Sequence, residues 1–253
     1  MNLFAGADAA ERYARGRPYF HPLVMERLRP IVAPVDLLRH GLDIGCGTGQ
    51  SSVALTDLVE DVLGIDSAEA MIERAQAHPR VRYLAAPAEN LPVPDGSIDV
   101  ITTALAFHWF DRPRFLREVM RTLGPSGWFI NYNDGFSGEL EGNAAYGEWN
   151  RQHYVRRFPT PPRDTAPFTD DDAAAVGLAT VARQRFAHEV SFDAAALADY
   201  LCTQTNVGAA IAEGREAAAT AYRWLVAAIA PFFETGSAQC RFYCSVDVFR
   251  RTP

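Results

Sequence analysis

The stretch 41–50, GLDIGCGTGQ, constrains the fold of this chain more than any other part of the sequence. A short apolar run suited to a buried strand breaks at three alternating glycines, Gly45, Gly47 and Gly49, and an apolar helical pattern follows over 51–58. Glycine permits positive φ and lets the backbone lie close to a ligand. The stretch therefore predicts a strand, a tight turn and a helix whose N-terminus offers free N–H groups to a bound molecule.

The spacing of these glycines differs from that of the dinucleotide-binding turn. The pattern here is G-x-G-x-G, whereas the dinucleotide fingerprint is G-x-G-x-x-G, and position 50 is Gln. A second short apolar run, 62–65, ends at Asp66. In a doubly wound sheet, an acidic side chain at this place hydrogen-bonds a ribose diol. The glycine turn and Asp66 together predict a ribose-containing ligand.

Short apolar runs alternate with helical patterns through the first half of the chain, which implies a parallel sheet with right-handed crossovers. The predicted strands are 42–44, 62–66, 81–85, 98–104 and 128–132, and the predicted helices between them are 51–58, 68–77 and 113–123.

Other patterns flank this core. Helices are predicted over 9–15 and 23–31, before the first strand. After residue 132 the chain is aromatic and rich in turn residues, and an alanine-rich helical stretch follows over 193–230. Strands are predicted on either side of that stretch, over 181–192 and 241–249. There is no internal repeat or clear linker, so we expect a single domain.

Four segments carry a resemblance to a known family. They are LDIGCGTG at 42–49, GIDSAEAMIERA at 64–75, AAPAENLPVPDGSIDVI at 85–101 and GPSGWFI at 124–130. In this order and at these intervals the chain resembles the class I S-adenosylmethionine-dependent methyltransferases, and among them the small-molecule enzymes of methyltransferase type 11. The resemblance implies an α/β, doubly wound, Rossmann-like sheet of seven strands, with an antiparallel last strand and a helical cap. It also implies S-adenosyl-L-methionine as cofactor.

The resemblance further implies that residues 1–253 form one methyltransferase domain. Its expected parts are N-terminal lid helices at 1–38, a cofactor-binding core at 39–133, a substrate-side cap at 134–180 and 193–235, and a final hairpin at 181–192 and 240–250.

Cofactor contacts follow from the same resemblance. The side chains or backbone expected to bind the cofactor are those of Tyr13, Arg17, Asp43, Gly45, Cys46, Gly47, Gly49, Asp66, Ser67, Met71, Ala88, Glu89 and Ala104. Several of these positions also admit a purely structural role. Asp43 is suited to capping the turn, Asp66 to capping the next helix, Met71 to the core, and Glu89 to an exposed loop.

The stretch 104–111, ALAFHWFD, is the most informative one on the substrate side, because it leaves the fourth strand beside the glycine turn. His108, flanked by aromatic residues, is the predicted catalytic residue, although a lone histidine is usually structural. The tetrad HWFD resembles small-molecule enzymes related to the trans-aconitate methyltransferases. The residues expected to bind the substrate are Tyr19, Phe107, Trp109, Phe136 and Arg156.

The role of His108 depends on the acceptor. For a hydroxyl or amine acceptor, a base is useful, and the unperturbed pKa of histidine, about 6.5, suits that role. For a carboxylate acceptor, His108 and an arginine, Arg17 or Arg156, would orient the substrate. Both possibilities remain open at the level of the sequence.

The composition restricts the classes of partner that this chain is expected to bind. The net charge is −7 with no Lys/Arg-rich block, which disfavours nucleic acid and favours a small-molecule substrate. No apolar run approaches the roughly 20 residues that span a bilayer, and the N-terminus lacks a signal-peptide pattern, so we expect no membrane contact and a cytoplasmic location. The four cysteines show no metal-ligand pairing, so we expect core thiols in a reducing compartment and no metal.

Three other functions compete with a small-molecule methyltransferase. A nicotinamide-dependent oxidoreductase is disfavoured by Gln50, which stands where its third glycine would be. A catalytically inactive cofactor-binding protein of the same fold and a protein or RNA methyltransferase are the other two. The acceptor, the methylated atom and the oligomeric state are not indicated by the sequence.

Overall fold

A computed structural model of the chain describes residues 6–162, 166–233 and 236–253. Its strands are β1 Leu38–Ile44, β2 Val59–Asp66, β3 Val81–Ala85, β4 Ile98–Ala104, β5 Leu123–Leu140, β6 Leu178–Phe192 and β7 Ala238–Arg251. Its α-helices are α1 Ala7–Gly16, α2 His21–Val32, α3 Gln50–Leu55, α4 Glu69–Ile72, α5 Arg112–Thr122, α6 Ala144–Trp149, α7 Val155–Arg157, α8 Asp170–Ala175, α9 Ala194–Cys202, α10 Thr205–Ala212 and α11 Ala218–Ile229. Short 3₁₀ segments at Phe107–Trp109 and Ala230–Phe232 and a π-helical turn at Asn150–Tyr154 complete the described elements.

The strands form one seven-stranded sheet in the order β3-β2-β1-β4-β5-β7-β6. The pairs β1–β2, β2–β3, β1–β4 and β4–β5 are parallel, and the last strands are antiparallel. The predicted doubly wound α/β fold is therefore confirmed. The strand order reverses between β1 and β4, and ligands of such sheets bind at the carboxyl ends of the strands at this switch point.

Burial explains why the central strands form where they do. Leu42 and Ile44 of β1 and Ile101 of β4 are at most 1% exposed, as expected for parallel strands with both faces covered. They share a hydrophobic core with Phe115 of α5 and Phe129 of β5. The five predicted strands of the first half all lie within observed ones.

The described residues divide into two compact units. The glycine-turn unit comprises residues 19–133, 166–185 and 245–253, and the aromatic unit comprises 6–18, 134–162, 186–233 and 236–244. The strands β5, β6 and β7 contribute residues to both units.

This division differs from the predicted grouping of the two N-terminal helices into one lid at 1–38. Helix α1 belongs to the aromatic unit, where Arg15 pairs with Asp199 of α9 at 2.8 Å. Gly16 also lies against α9, since a Cβ there would come within 2.6 Å of the Asp199 carbonyl oxygen. Helix α2 belongs instead to the glycine-turn unit, in which it packs on α3.

The expected cap at 134–180 also divides. Residues 166–180 belong to the glycine-turn unit because Phe168, Ala173 and Leu178 pack into its hydrophobic core. The aromatic unit has its own core, built around Tyr146 and Phe242.

Two elements differ in length from their predictions. Helix α4 ends at Ile72 rather than near residue 77. The N–H groups of Arg74 and Ala75 donate to carbonyl oxygens three residues back, and the Gln76 N–H donates to the Thr48 carbonyl oxygen at 3.0 Å. Strand β5 is much longer than 128–132. From the pair Ile98–Leu123 to the pair Val100–Trp128, β5 advances by five residues while β4 advances by two, so residues 124–127 form a bulge in β5.

All four cysteines are buried free thiols, as predicted. No helix among the described residues is both long and apolar enough for a bilayer crossing.

We expect Phe115→Ala to lower the free energy of unfolding by about 3–5 kcal/mol, because the ring is fully buried among Phe107, Phe110 and Phe129 and its loss leaves a cavity. Urea denaturation followed by circular dichroism measures the change. Val35→Ala, at a site that is 79% exposed, is the control and should change stability little. Equal effects of the two substitutions would contradict this assignment of the core.

Candidate functional site

The turn after β1 is shaped by its glycines. Gly45, Gly47 and Gly49 have φ values of +72°, +54° and +82°, a region in which side chains with a Cβ are strained. A Cβ on Gly49 would clash with the Tyr83 hydroxyl, and one on Gly45 would come within 2.5 Å of the Ala106 Cβ. The turn therefore requires glycine for its backbone conformation and for its close packing.

Asp43, on β1 just before the turn, accepts hydrogen bonds from residues of two other elements. Its carboxylate is fully buried and accepts hydrogen bonds from the hydroxyls of Ser51, Ser52 and Thr102 at 2.5, 2.7 and 2.9 Å. Burial raises the pKa of Asp43, and these three donors act against that rise. The carboxylate thus ties β1, α3 and β4 together, while its predicted contact with the cofactor stays a prediction.

Asp66 joins the end of β2 to the glycine turn. One carboxylate oxygen accepts the N–H of Gly47 at 2.9 Å, and the other accepts the N–H of Ala68 at 2.9 Å. Burial raises the pKa of Asp66, and the two backbone donors oppose that shift. A carboxylate has about four lone-pair positions, so Asp66 retains capacity for further donors such as ribose hydroxyls.

The segments after β2 and β3 carry further residues that are predicted to bind the cofactor. Ser67 is exposed, whereas Met71 and Ala88 are buried, at 2% and 7% exposure. Ala88 packs in the hydrophobic core of the glycine-turn unit. One oxygen of Glu89 accepts the N–H of Asp111 at 2.9 Å, so the loop after β3 holds the segment after β4.

The segment after β4 lies against the glycine turn. The atoms nearest to the position of a Cβ on Gly45 belong to Ala106 and Phe110, at 2.5 and 3.3 Å. These two residues stand on either side of His108 in the sequence. Leu105 has a φ of +56°, which is strained for a leucine, and its N–H donates to the Tyr132 carbonyl oxygen at 3.0 Å. The structure therefore places the predicted catalytic loop and the glycine turn together at the switch point.

The side chains of this segment differ in environment. His108 is half-buried and lies 4.9 Å from the Trp109 ring, which is 40% exposed. Phe107, predicted to bind substrate, is 4% exposed and packs against Phe115 and Phe129. This environment makes Phe107 a core residue, because its ring is enclosed by other aromatic rings. Ala104 is also buried, at the end of β4.

His21 is a polar residue at this edge that the sequence analysis missed. It is 6% exposed, and its Nδ1 lies 3.0 Å from the hydroxyl of Tyr132, near the end of the parallel part of β5. Tyr19, predicted to bind substrate, is 50% exposed and lies 5.9 Å from the His21 ring. No local pattern indicates the pair, since its members are 111 residues apart.

The remaining predicted residues lie in the aromatic unit. Arg17 stacks over the rings of Tyr13 and Tyr200 at 4.8 and 5.6 Å and donates to the Thr203 carbonyl oxygen at 3.2 Å. Phe136 is partly buried and contacts Tyr146, Tyr200 and Phe242. Arg156 is exposed on α7, away from the buried core. The cofactor and substrate contacts of these residues stay predictions.

A second missed feature lies in the same unit. Nε2 of His188 on β6 is 2.8 Å from Oδ1 of Asp134 on β5, and the two side chains are only 11% and 3% exposed. Within the described ranges, no group of three or more His, Cys, Asp or Glu side chains is arranged to hold a metal ion.

The part of the chain that matches a known family includes the glycine turn. Residues 42–131 match the family model described as a methyltransferase domain. This segment contains the glycine turn, Asp66, Glu89 and His108.

Named relatives match the same part of the chain. An uncharacterized methyltransferase of Mycobacterium bovis is 36% identical over 128 residues, covering 50% of this chain and 50% of the relative. A probable S-adenosylmethionine-dependent methyltransferase of Mycolicibacterium smegmatis is 33% identical over 112 residues, covering 44% of this chain and 42% of the relative. The chain thus spans about half the length of the curated relatives it matches.

Solved structures match over nearly the whole chain. A structure from Anaeromyxobacter dehalogenans assigned to the type II methyltransferases aligns with a TM-score of 0.71 at 26% identity, covering 92% of this chain and 97% of that one. The YcgJ protein of Bacillus subtilis aligns with a TM-score of 0.56 at 20% identity over 92% of this chain and 98% of its own, which shows a shared fold. Taken with the glycine turn and the Asp66 carboxylate, these matches show that residues 42–131 are similar to methyltransferase domains, among them those of S-adenosylmethionine-dependent enzymes.

Proposed function

We propose that this protein transfers a methyl group from S-adenosylmethionine to a small-molecule acceptor by in-line displacement. The observation that carries the proposal is the joining of three strand ends at the switch point. Asp66 is bonded to the glycine turn through the Gly47 N–H, and Gly45 packs against the loop that carries His108. A cofactor held by the turn and an acceptor oriented by His108 would then share one edge of the sheet.

The described residues fit an adenosyl cofactor. The unused lone pairs of Asp66 suit the two ribose hydroxyls, and Met71, Ala88 and Glu89 are the proposed contacts of the adenine. The N–H groups of the turn, with Cys46, Ser67 and Ala104 beside it, would complete the cradle, which Asp43 supports. The bound cofactor supplies an electrophilic methyl group on a positively charged sulfur.

In a displacement of this kind the protein's main contribution is alignment, because holding the nucleophile near its target supplies much of the rate enhancement. His108 is proposed to orient the acceptor or to accept its proton, and the exposed Trp109 ring beside it offers a face for the acceptor or the cationic donor. The strained Leu105 backbone immediately before this segment is consistent with a functional site.

A small acceptor is favoured by the charge of the chain, because a net charge of −7 disfavours a polyanionic substrate. An oxidoreductase remains disfavoured, since Gln50 replaces the glycine that the dinucleotide turn requires.

We expect Asp66→Ala to weaken the binding of S-adenosylhomocysteine about 10- to 100-fold, because hydrogen bonds to a charged group contribute about 1.5–3 kcal/mol. Isothermal titration calorimetry measures the dissociation constant. Asp61→Ala is the matched control, because Asp61 lies on the same strand but pairs with Arg82 at the surface. An affinity of Asp66→Ala within twofold of the wild type would remove the ribose role.

We expect His108→Ala to lower methyl transfer about 100-fold or more while changing cofactor affinity less than threefold, because an orienting or proton-accepting group acts on the acceptor. The assay follows the labelled methyl group of S-adenosylmethionine into a small-metabolite extract. His40→Ala is the control, since this histidine is exposed and pairs with Asp61 on another part of the sheet. Equal transfer by His108→Ala and the wild type would reject the catalytic assignment.

A further inference from the structure

We propose that Glu118 and Arg121 of α5 are positioning residues that make the site specific for an adenine base. They act through the β3–β4 loop, residues 86–97, which carries the proposed adenine contacts Ala88 and Glu89. This inference rests on the proposed function and adds the means by which the base of the cofactor is selected. All of these residues belong to the glycine-turn unit.

The β3–β4 loop, all of which lies in the described part of the chain, contains no helix or strand. Its start is bonded to β2, where the Ala86 N–H donates to the Asp66 carbonyl oxygen at 3.0 Å, and within it the Val93 N–H donates to the Leu91 carbonyl oxygen at 2.9 Å. Buried backbone polar groups are nearly always paired, so a loop of this kind needs partners from other elements. Those partners set the position of the adenine contacts.

Glu118 and Arg121 supply partners for the second half of the loop. Oε2 of Glu118 accepts the Leu91 N–H at 2.7 Å, and Arg121 donates to the Leu91 carbonyl oxygen at 2.8 Å. Arg121 also donates to the Val93 carbonyl oxygen at 2.9 Å and pairs with the Asp95 carboxylate at 2.7 Å. Both backbone polar groups of Leu91 are thus bonded to one pair of side chains.

The two side chains also hold each other. Glu118 and Arg121 are three residues apart on α5, and the guanidinium donates to both carboxylate oxygens, at 2.8 and 2.7 Å. Such a forked contact fixes the orientation of both groups. The hydrogen bond from Arg121 lowers the pKa of Glu118, so the carboxylate stays ionised near neutral pH and only accepts. The pair therefore presents its acceptor and its donors to the loop in one fixed arrangement.

The other end of α5 holds the loop at Glu89. One Glu89 oxygen accepts the Asp111 N–H at 2.9 Å, and Asp111 in turn caps α5 by accepting the Arg114 N–H at 3.1 Å. The helix thus contacts the loop both at Glu89 and at residues 91–95. A carboxylate has about four lone-pair positions, so Glu89 retains capacity for a further donor, which the 6-amino group of adenine supplies.

The chemistry of Glu89 gives the loop its selectivity. An ionised carboxylate only accepts hydrogen bonds, so it suits the 6-amino group of adenine, whereas hypoxanthine presents an acceptor oxygen at the same position. A site built to bond a particular group discriminates strongly against an analogue that lacks it. The site group must be held in place for this, and Glu118 and Arg121 hold the loop two residues beyond Glu89.

A second Glu–Arg pair with the same spacing shows what an ordinary surface pair looks like. Glu148 and Arg151 pair at 2.9 Å, and their side chains are 54% and 63% exposed. Exposed pairs of this kind contribute little to stability. The side chains of Glu118 and Arg121 are only 16% and 31% exposed, and they bond the backbone of another segment. The Glu148–Arg151 pair is therefore the matched control.

The test compares S-adenosylhomocysteine with S-inosylhomocysteine, in which oxygen replaces the 6-amino group. Isothermal titration calorimetry on the full chain gives both dissociation constants. We expect the wild type to bind the adenosyl compound about 10- to 100-fold more tightly, because the inosyl compound loses a hydrogen bond to a charged group. Glu118→Ala and Arg121→Ala should each lower this ratio to about threefold, and Glu148→Ala should leave it unchanged.

The ratio separates positioning from general destabilisation, because a smaller folded fraction weakens the binding of both compounds equally. If an alanine variant does not fold, as judged by circular dichroism, Glu118→Gln or Arg121→Lys takes its place, and each should give an intermediate ratio.

Three results would overturn the inference: a wild-type ratio near one, an unchanged ratio in the variants of Glu118 and Arg121, or an equal fall in Glu148→Ala. In each of these cases the wild type still binds the adenosyl compound, so the proposed function stands. Failure of the wild type to bind either compound would reject the proposed function together with this inference.

Discussion

The hydrogen bonds between Asp66 and the backbone N–H groups of Gly47 and Ala68 are the interaction on which the candidate site depends. They fix the end of β2 to the turn after β1, and that turn exists only because glycine tolerates positive φ. Asp43, buried beneath it, ties the same turn to β4 through Thr102. Two enclosed carboxylates thus set the positions of three strand ends, and the cost of burying them is offset by five hydrogen bonds.

The site in the glycine-turn unit was largely predictable because its signals are local. Glycines at fixed offsets, an acidic residue ending the next apolar run and a histidine after the fourth run each follow from the neighbouring sequence, and parallel strands bring their carboxyl ends to one edge. The substrate contact expected of Phe107 stays a prediction, because an aromatic residue beside a histidine suits a site wall as well as a core. Its enclosure by Phe115 and Phe129 arises from residues distant in sequence.

The features that escaped prediction depend on contacts between distant segments. Asn133, Asp134 and Gly135 are typical of a turn, yet they lie inside β5 because that strand continues along β7. The partner of Asp134, His188, is 54 residues away on a strand with ordinary alternation. Similarly, the sequence predicts α1 and α2 only as two helices before the first strand, whereas Arg15 and Gly16 bind α1 to α9. The division of the chain into these two units therefore could not be predicted from the sequence.

The central claim is that the glycine turn and Asp66 hold an adenosyl sulfonium with His108 facing its reactive carbon. A crystal structure of the protein soaked with S-adenosylhomocysteine tests this claim most directly. The account predicts ribose hydroxyls within hydrogen-bond distance of the Asp66 carboxylate and the His108 imidazole on the side of the sulfur. A glycine turn without ligand, or an imidazole directed away from the sulfur into solvent, would contradict it.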